Sequence, residues 1–498
     1  MSIYHLFTGG YRQQLLQNPF NVNWTGLMMW CMALLFPIGG WLADTRFGRY
    51  KVIRYSMWIM WTGMILATLA ELLLASMGNN CPNSIKIVIY LSLCIFTAIG
   101  LGGFLSNIIQ LGVDQLIDAS ASEITSFISW YTLTLYASGT FLHFIIDCVI
   151  DANNFYIKIF FVAVCLTVAL SLDFLFHHIL VNEPVVQRKS LRVILGVIKY
   201  SIRNRHLRYS LSASATANDV IPSRFEVAKH MHGGPFTSQQ VDNVRTFLWV
   251  LIIIAICSLV FGSFEPLRYV QGKIKHHWTN KQNVADSKRV CYKSLTLLYN
   301  DYFIVIVLVI LYEFIVHPLF YRCLPKLRIT SRCLFAIVSF LLWILSLSIL
   351  DATMYHPQSN NGTTESLHYC ILENKADITI SYKLLLIPSF LEALSNFLLV
   401  SSALEYIWAQ TPSTMKGLML GFAYLFLGLR TLLHSVILDP FFSKKWARKI
   451  PWQRTPLRCE VWYFILEGVI ILAVLCVTTV LVKTHNKQKV KRAYVYAS

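Results

Sequence analysis

Charged residues are scarce in this sequence. Only 14% of its 498 residues are Asp, Glu, Lys or Arg, whereas about 25% is typical of soluble globular proteins. Hydrophobic residues make up 56% of the chain. Soluble multidomain enzymes, coiled coils, collagen-like chains and disordered chains are excluded, because each of them needs a more polar sequence. The composition indicates a protein that crosses a membrane many times.

Motifs of catalysis and metal binding are also missing. The twelve cysteines form no CxxC pair and no regular ligand spacing, so neither a zinc module nor a disulfide scaffold is predicted. We find no pairing of a nucleophile with a base and no glycine-rich phosphate loop. We therefore expect no enzyme activity, no catalytic residue, no metal and no cofactor. The first 25 residues lack the sustained apolar core of a cleavable signal peptide.

Long apolar runs recur along the chain. A helix needs roughly 20 mostly apolar residues to span a bilayer, and about eleven segments meet this requirement. They lie near residues 26–43, 52–76, 85–113, 125–150, 155–179, 246–264, 302–320, 333–351, 381–408, 415–438 and 460–483. We predict an all-α, polytopic membrane protein whose apolar segments fall into two halves. Its parts are an N-terminal segment (1–25), a first half (26–180), a polar loop between the halves (181–245), a second half (246–483) and a basic tail (484–498).

The formal net charge is +18, from 43 Lys and Arg against 25 Asp and Glu. These cations lie between the apolar blocks and not on one solvated face, so nucleic acid is not an expected partner. When loop 181–245 is placed in the cytoplasm, the inside loops contain modestly more Lys and Arg than the outside loops, as the positive-inside rule requires. The same orientation puts the Asn361-Gly362-Thr363 sequon outside, where we predict an N-glycan on Asn361.

Within loop 181–245, one segment has the periodicity of an amphipathic helix. Its apolar face comprises Leu191, Ile194, Leu195, Ile198 and Ile202, and its basic stripe comprises Arg192, Lys199 and Arg203. Two interpretations stay open, because periodicity does not distinguish them. The segment is either a helix on the inner leaflet or a linker of helical character, and the loop is also a candidate site for a cytoplasmic partner.

A glycine-framed turn follows the first apolar segment, in GGWLADTRFGRYKVI (39–53). Gly40 and Gly48 flank Asp44, and the cations Arg49 and Lys51 come next. This pattern resembles the signature loop of the major facilitator superfamily. Glycines permit close helix approach, and a carboxylate at a helix end interacts favourably with cations and with a neighbouring helix dipole. We interpret the five residues as a conformational latch; the alternative is a plain basic turn.

Three further segments narrow the resemblance, namely SNIIQLGVDQ (106–115), MHGGPFTSQQVDNV (231–244) and LEYIWAQTPSTMKG (404–417). From about residue 26 to the C-terminus, the chain resembles the proton-coupled oligopeptide transporter family and its peptide/histidine transporter branch within solute carrier family 15. The resemblance implies twelve helices in two bundles, a substrate cavity between them and alternating access. It also implies small peptides and free histidine as substrates, protons as the coupling ion, and an endolysosomal or plasma membrane.

The sequence departs from this family at three places that bear on coupling. The resemblance implies one more helix ahead of the first apolar segment, with a Glu-x-x-Glu-Arg triplet that residues 1–25 do not contain. Leu105 stands where the family has a Lys two residues before the Asn that is Asn107 here, and Asn396 stands where the family has a Glu ahead of Glu405. Both contacts to peptide termini are therefore expected to be neutral. The alternative function is a transport-deficient scaffold that retains the transporter fold.

Other polar and aromatic residues in the apolar segments are candidates for a function. We predict that Arg430 pairs with Glu467, since a charge inside the membrane needs a partner, a cavity or access to the interface. Rings at Trp130, Tyr131 and Tyr136 either line a side-chain pocket or pack ordinarily. Candidate proton carriers are Asp147, Asp173, Glu313, His317, Glu392 and Glu405, although interface solvation is the alternative for the first two.

Overall fold

A computed structural model shows helices joined by turns throughout the described part of the chain. It describes residues 24–77, 83–144 apart from 117, 155–179, 190–204, 225–262, 301–316 with 318, 329–353, 386–433, and 465–484 apart from 467, 482 and 483. The helices of the first half are α1 (Trp24–Leu42), α2 (Arg49–Met77), α3 (Asn83–Leu105), α4 (Ile108–Asp114), α5 (Ala121–Phe144) and α6 (Phe155–Phe176). A π-helix, Ala43–Phe47, joins α1 to the turn before α2.

Helix α7 (Ser190–Arg203) lies in the segment that connects the two halves. The second half contains α8 (Ser238–Gly262), α9 (Asp301–Leu311), α10 (Ile329–Thr353), α11 (Leu386–Gln410), α12 (Lys416–Leu433) and α13 (Gly468–Leu481). A second π-helix, Tyr312–Val316, extends α9. Each apolar segment predicted above coincides with one of these helices, α3 and α4 sharing one segment. Six of the described helices are long and apolar enough to cross a bilayer.

Helix starts follow local sequence signals. Ser120 and Glu123 form a capping box at the start of α5, since the Ser120 backbone N–H donates to Oε2 of Glu123 (2.6 Å) and the Glu123 N–H donates to the Ser120 hydroxyl (3.3 Å). Thr237 and Gln240 form the same arrangement at α8. Helix α8 therefore begins about two turns earlier than the predicted boundary at residue 246, because its first turns are polar but well capped.

Side chains of α7 and α8 meet in the segment before the second half. Ile194 and Val197 of α7 pack with Val241 and Val244 of α8. Beside them, the buried ammonium of Lys229 lies 2.8 Å from Glu226 and 3.3 Å from Asp242. The segment 231–244 thus joins α7 to the second half, and we call this segment the base of the second half.

Apolar clusters lie within each half and at their junction. In the first half, α1, α2, α3 and α6 supply one cluster, which includes Met32, Met64 and Ile159. The cluster of the second half is built from α9, α10, α11 and α13, and Tyr136 from α5 of the first half is buried in it. The halves are therefore in direct contact along α5.

Candidate functional site

The two halves approach closely where α1 lies against α12. Gly40 of α1 faces the backbone of Gly417, and a methyl group on Gly40 would overlap the Gly417 carbonyl. One turn earlier in α1, the Phe36 ring stacks on Tyr424 of α12 with ring centroids 4.9 Å apart. Residues without side chains allow this backbone approach, so the glycine that the sequence singled out lies at the contact between the halves.

Asp44 extends this contact beyond the end of α1. Its side chain is only 2% exposed, and its Oδ2 accepts a hydrogen bond of 2.9 Å from the backbone N–H of Leu418, in the first turn of α12. The carboxylate thus caps a helix of the opposite half, where unpaired N–H groups and the helix dipole favour a negative charge. On its own side, Asp44 lies 3.8 Å from Arg49, and Arg49 also binds Asp114.

The environment of Asp44 changes its acidity. Burial is the largest effect and raises the pKa of Asp44 to about 6, while Arg49 and the N–H groups of Leu418 and Gly417 act in the opposite direction. Asp114 adds a smaller upward effect. A carboxyl group with a pKa near 6 changes charge in the range of pH between an acidic compartment and the cytoplasm.

A second polar contact joins the halves at the same end of the molecule. In the first turns of α5, the Thr125 hydroxyl donates to Oε1 of Glu405 (3.0 Å) and the Ser126 hydroxyl donates to Oε2 of Glu313 (2.7 Å). Glu405, in the last turns of α11, also forms an ion pair of 2.7 Å with Arg332 at the start of α10. Nη1 of Arg332 donates to the Tyr312 hydroxyl at 3.3 Å. This arrangement links α5 to three helices of the second half.

The candidate cavity residues do not form one cluster. Leu105 packs at the edge of the first-half core, whereas Tyr136 is 1% exposed and packs with Phe397, next to the buried Asn396. Tyr131 joins the apolar cluster at the junction.

Asn107 and Trp130 have other surroundings. Asn107 is fully buried and donates to the backbone carbonyls of Gly103 (2.8 Å) and Gly39 (3.3 Å), so it ties α3 to α1 near the latch. Trp130 is largely exposed and meets the Phe314 ring edge-on at 6.1 Å.

Several other candidates lie away from these contacts or outside the described part. Asp173 forms an ion pair of 3.2 Å with Arg54. Glu392 is fully buried in α11, and Lys51 is exposed. The predicted pair of Arg430 and Glu467 is not described, since neither the side chain of Arg430 nor any part of Glu467 belongs to the described residues. The same holds for Asn361, Asp147 and His317.

Four groups that make these contacts were not singled out from the sequence, namely Arg332, Thr125, Ser126 and the Leu418 N–H. Arg332 had a detectable signal, since it is a cation immediately ahead of an apolar segment and Glu405 is an acid inside another. The hydroxyls and the backbone N–H had none, because such groups occur on every helix. In the described part of the chain, no group of His, Cys, Asp and Glu side chains could hold a metal ion.

Comparison with known proteins gives relatives of one kind. The chain is 22% identical to solute carrier family 15 member 3 of Rattus norvegicus, over 84% of this chain and 78% of that protein. The Mus musculus protein of the same name is 21% identical with the same coverage. Among solved structures, the POT family transporter PepTSo aligns with a TM-score of 0.64 at 16% identity, covering 98% of this chain and 96% of that one. The proton:xylose symporter XylE aligns with a TM-score of 0.54 at 13% identity, over 95% and 90%. No protein-family profile matches the chain.

These likenesses, with the helix order and the paired halves, define the protein as a multi-pass membrane protein with the major facilitator superfamily fold. Its relatives and structural neighbours are transporters and not enzymes. The predicted resemblance to the proton-coupled oligopeptide transporter family, and to solute carrier family 15 within it, is confirmed.

Proposed function

We propose that the protein is a secondary transporter that moves small peptides, and free histidine, across a membrane by alternating access with protons as the coupling ion. The observation on which the proposal depends is the junction of the halves at one end. There, Asp44 caps α12 and Thr125 binds Glu405, each contact joining one half to the other. Polar contacts of this kind are made in one conformation and exchanged for water in another, which is what alternating access requires.

Proton coupling needs a carboxylate whose environment changes between the two conformations. Glu405 is suited to this role, because its Oε1 accepts from both Thr125 of the first half and Arg332 of its own half. Separation of the halves would remove the Thr125 contact and admit water to the ion pair. Glu313 is in an equivalent position through Ser126. Acidic residues that lie inside a membrane protein are commonly part of proton pathways.

The alternative is a scaffold that keeps the fold without transport. It is favoured by the neutral residues Leu105 and Asn396 where the family has charges, since neutral groups forgo charge-assisted bonds of roughly 1.5–3 kcal/mol each. Such a scaffold would bind a cytoplasmic partner through 181–245. We favour the transporter, because the relatives of the chain are transporters and the contacts that join its halves at this end include polar ones that water can replace when the halves separate. The membrane, endolysosomal or plasma, is part of the proposal and is what the family resemblance of the sequence implies.

Uptake of a labelled dipeptide into proteoliposomes tests the proposal. We expect saturable uptake that is greater with an inward proton gradient, and competition by histidine. Thr125→Val and Ser126→Ala remove the two hydroxyl contacts between the halves, and each should lower uptake and weaken its dependence on the gradient. Thr134→Val is the matched control, because the Thr134 hydroxyl donates only within its own helix, to the Trp130 carbonyl.

The charge pattern of the cavity is tested separately with Leu105→Lys combined with Asn396→Glu. If the neutral positions weaken peptide binding, this double variant should raise dipeptide affinity by about one to two powers of ten for each restored contact. Absence of uptake by both the natural chain and the double variant, with intact monodisperse protein, would contradict transport and support the scaffold.

A further inference from the structure

Helix α7 has two faces with different surroundings. Ile194 and Val197 are buried against α8, and Gly196 lets the Phe236 ring approach so closely that a methyl group there would lie 2.8 Å from the ring. The Tyr200 hydroxyl donates to the Gly233 carbonyl at 3.4 Å. These contacts fix α7 to the base of the second half, which departs from the sequence expectation of a single apolar face.

Two other residues of the predicted apolar face are exposed, whereas Ile198 packs against the cluster that contains Ile194. Leu195 is 58% exposed and Ile202 is 68% exposed. At about 100° per residue the two lie within roughly 20° of each other around the helix, next to the buried face. Three exposed cations lie next to this pair around the helix, on the side away from the buried face, namely Lys199, Arg192 and Arg203. The helix contains no acidic residue.

The position of α7 relative to the bilayer follows from α8, the helix on which it packs. Val241 and Val244, on which it packs, lie in the first two turns of α8, and by length and composition the candidate membrane span of α8 begins at Ser238. Those turns are within about 10 Å of the end of the span, at a rise of 1.5 Å per residue. The headgroup region of a bilayer occupies this depth. Helix α7 is therefore held beside the membrane surface, with an apolar stripe and a flanking row of cations.

We propose that α7 lies in the interface of the predicted cytoplasmic leaflet and binds anionic lipid headgroups. Leu195 and Ile202 enter the acyl boundary, while Lys199, Arg192 and Arg203 contact the lipid phosphates or carboxylates. An apolar stripe flanked by cations is the pattern of interfacial helices, and cations near an anionic leaflet are attracted to it. A soluble acidic protein is a less suitable occupant, because the exposed stripe adjoins a spanning helix. The proposal does not depend on which substrate is transported.

The test uses the full chain in lipid nanodiscs, with an environment-sensitive fluorescent amino acid at position 202. Bromine-labelled lipids quench a fluorophore that enters the bilayer, and iodide quenches one in water. In nanodiscs with anionic phosphatidylserine, we expect quenching by bromolipid at 202 to be at least severalfold stronger than at Ser413. That residue is an exposed control in the turn before α12. Replacement of all three cations by Gln should reduce the ratio of docked to undocked helix by about a hundredfold, and so should neutral lipid.

Two results would overturn the proposal. One is iodide quenching at 202 that equals quenching at Ser413, since the stripe would then face water and be available to a soluble partner. The other is bromolipid quenching that does not change with lipid charge or with the three Gln replacements, since headgroups would then contribute nothing. Elution of each variant as a monodisperse nanodisc complex confirms that the fold is intact, and all replaced side chains are exposed.

Discussion

Asp44 should make the closed contact between the halves sensitive to pH. In the closed conformation its carboxylate is buried against α12 and its pKa is raised to about 6, whereas a hydrated Asp in the open conformation has its ordinary pKa of about 4. The closed conformation therefore binds the proton first as the pH falls. Acidification favours closure, and the effect is lost as the pH rises through the closed-state pKa.

The magnitude follows from linkage between protonation and conformation. Between about pH 7.5 and about pH 5.5, a pKa difference of about two units shifts the closed-to-open ratio roughly fourfold, or about 0.8 kcal/mol. Asp44→Asn has no charge to bury and keeps an oxygen that accepts from the Leu418 N–H. We expect it to close at least as well as the natural chain at the higher pH and to lose its share of the pH response. Asp44→Ala leaves that N–H without its acceptor and should lower the ratio by about tenfold.

Energy transfer between fluorophores at Tyr55 of α2 and Ser413 before α12 measures this equilibrium. Both positions are exposed and lie in opposite halves, so the distance between them reports closure. The comparison with Asp44→Asn is essential, because two other carboxylates, Glu405 and Glu313, also join the halves at this end. A closed fraction that falls on acidification, or a pH response that is identical in Asp44→Asn, would refute the reasoning.

Three other predictions concern packing, charge and topology. Gly40→Ala should push α1 away from α12, lowering both uptake and the melting temperature in detergent, whereas Gly139→Ala should be tolerated because a methyl group there meets nothing within 4 Å; equal effects would contradict the glycine contact. Arg332→Gln and Glu405→Gln should each destabilise the protein by about 1–3 kcal/mol, and the double variant should lose less than their sum; additivity of the thermal shifts would argue against the ion pair. Glycosidase treatment should shift the natural chain on a gel and leave Asn361→Gln unchanged, and a natural chain that does not shift would weaken the predicted orientation.

The sequence alone was sufficient to predict the class of protein and the positions of the membrane helices along the chain. In a bilayer the backbone must satisfy its own hydrogen bonds, so each long apolar run has to be a helix. For that reason the predicted segments coincide with all the numbered helices except α7, which lies in the polar loop 181–245. Local signals also indicated the turn after α1, since Gly40 and Asp44 are recognised by their spacing within one short segment, and the function of this turn as a latch stays a prediction.

Tertiary packing decided how residues far apart in the chain are paired. The acceptor role of Asp44 involves a backbone N–H more than 370 positions later, at Leu418, and every helix start offers such groups. Glu405 pairs with Arg332, which lies far from it in the sequence, and not with a charged residue that is close in sequence. Tertiary packing also decided which part of the apolar face of α7 is buried against protein and which part is exposed. Periodicity indicates which residues share a face, but only the neighbouring helix determines which of them it covers.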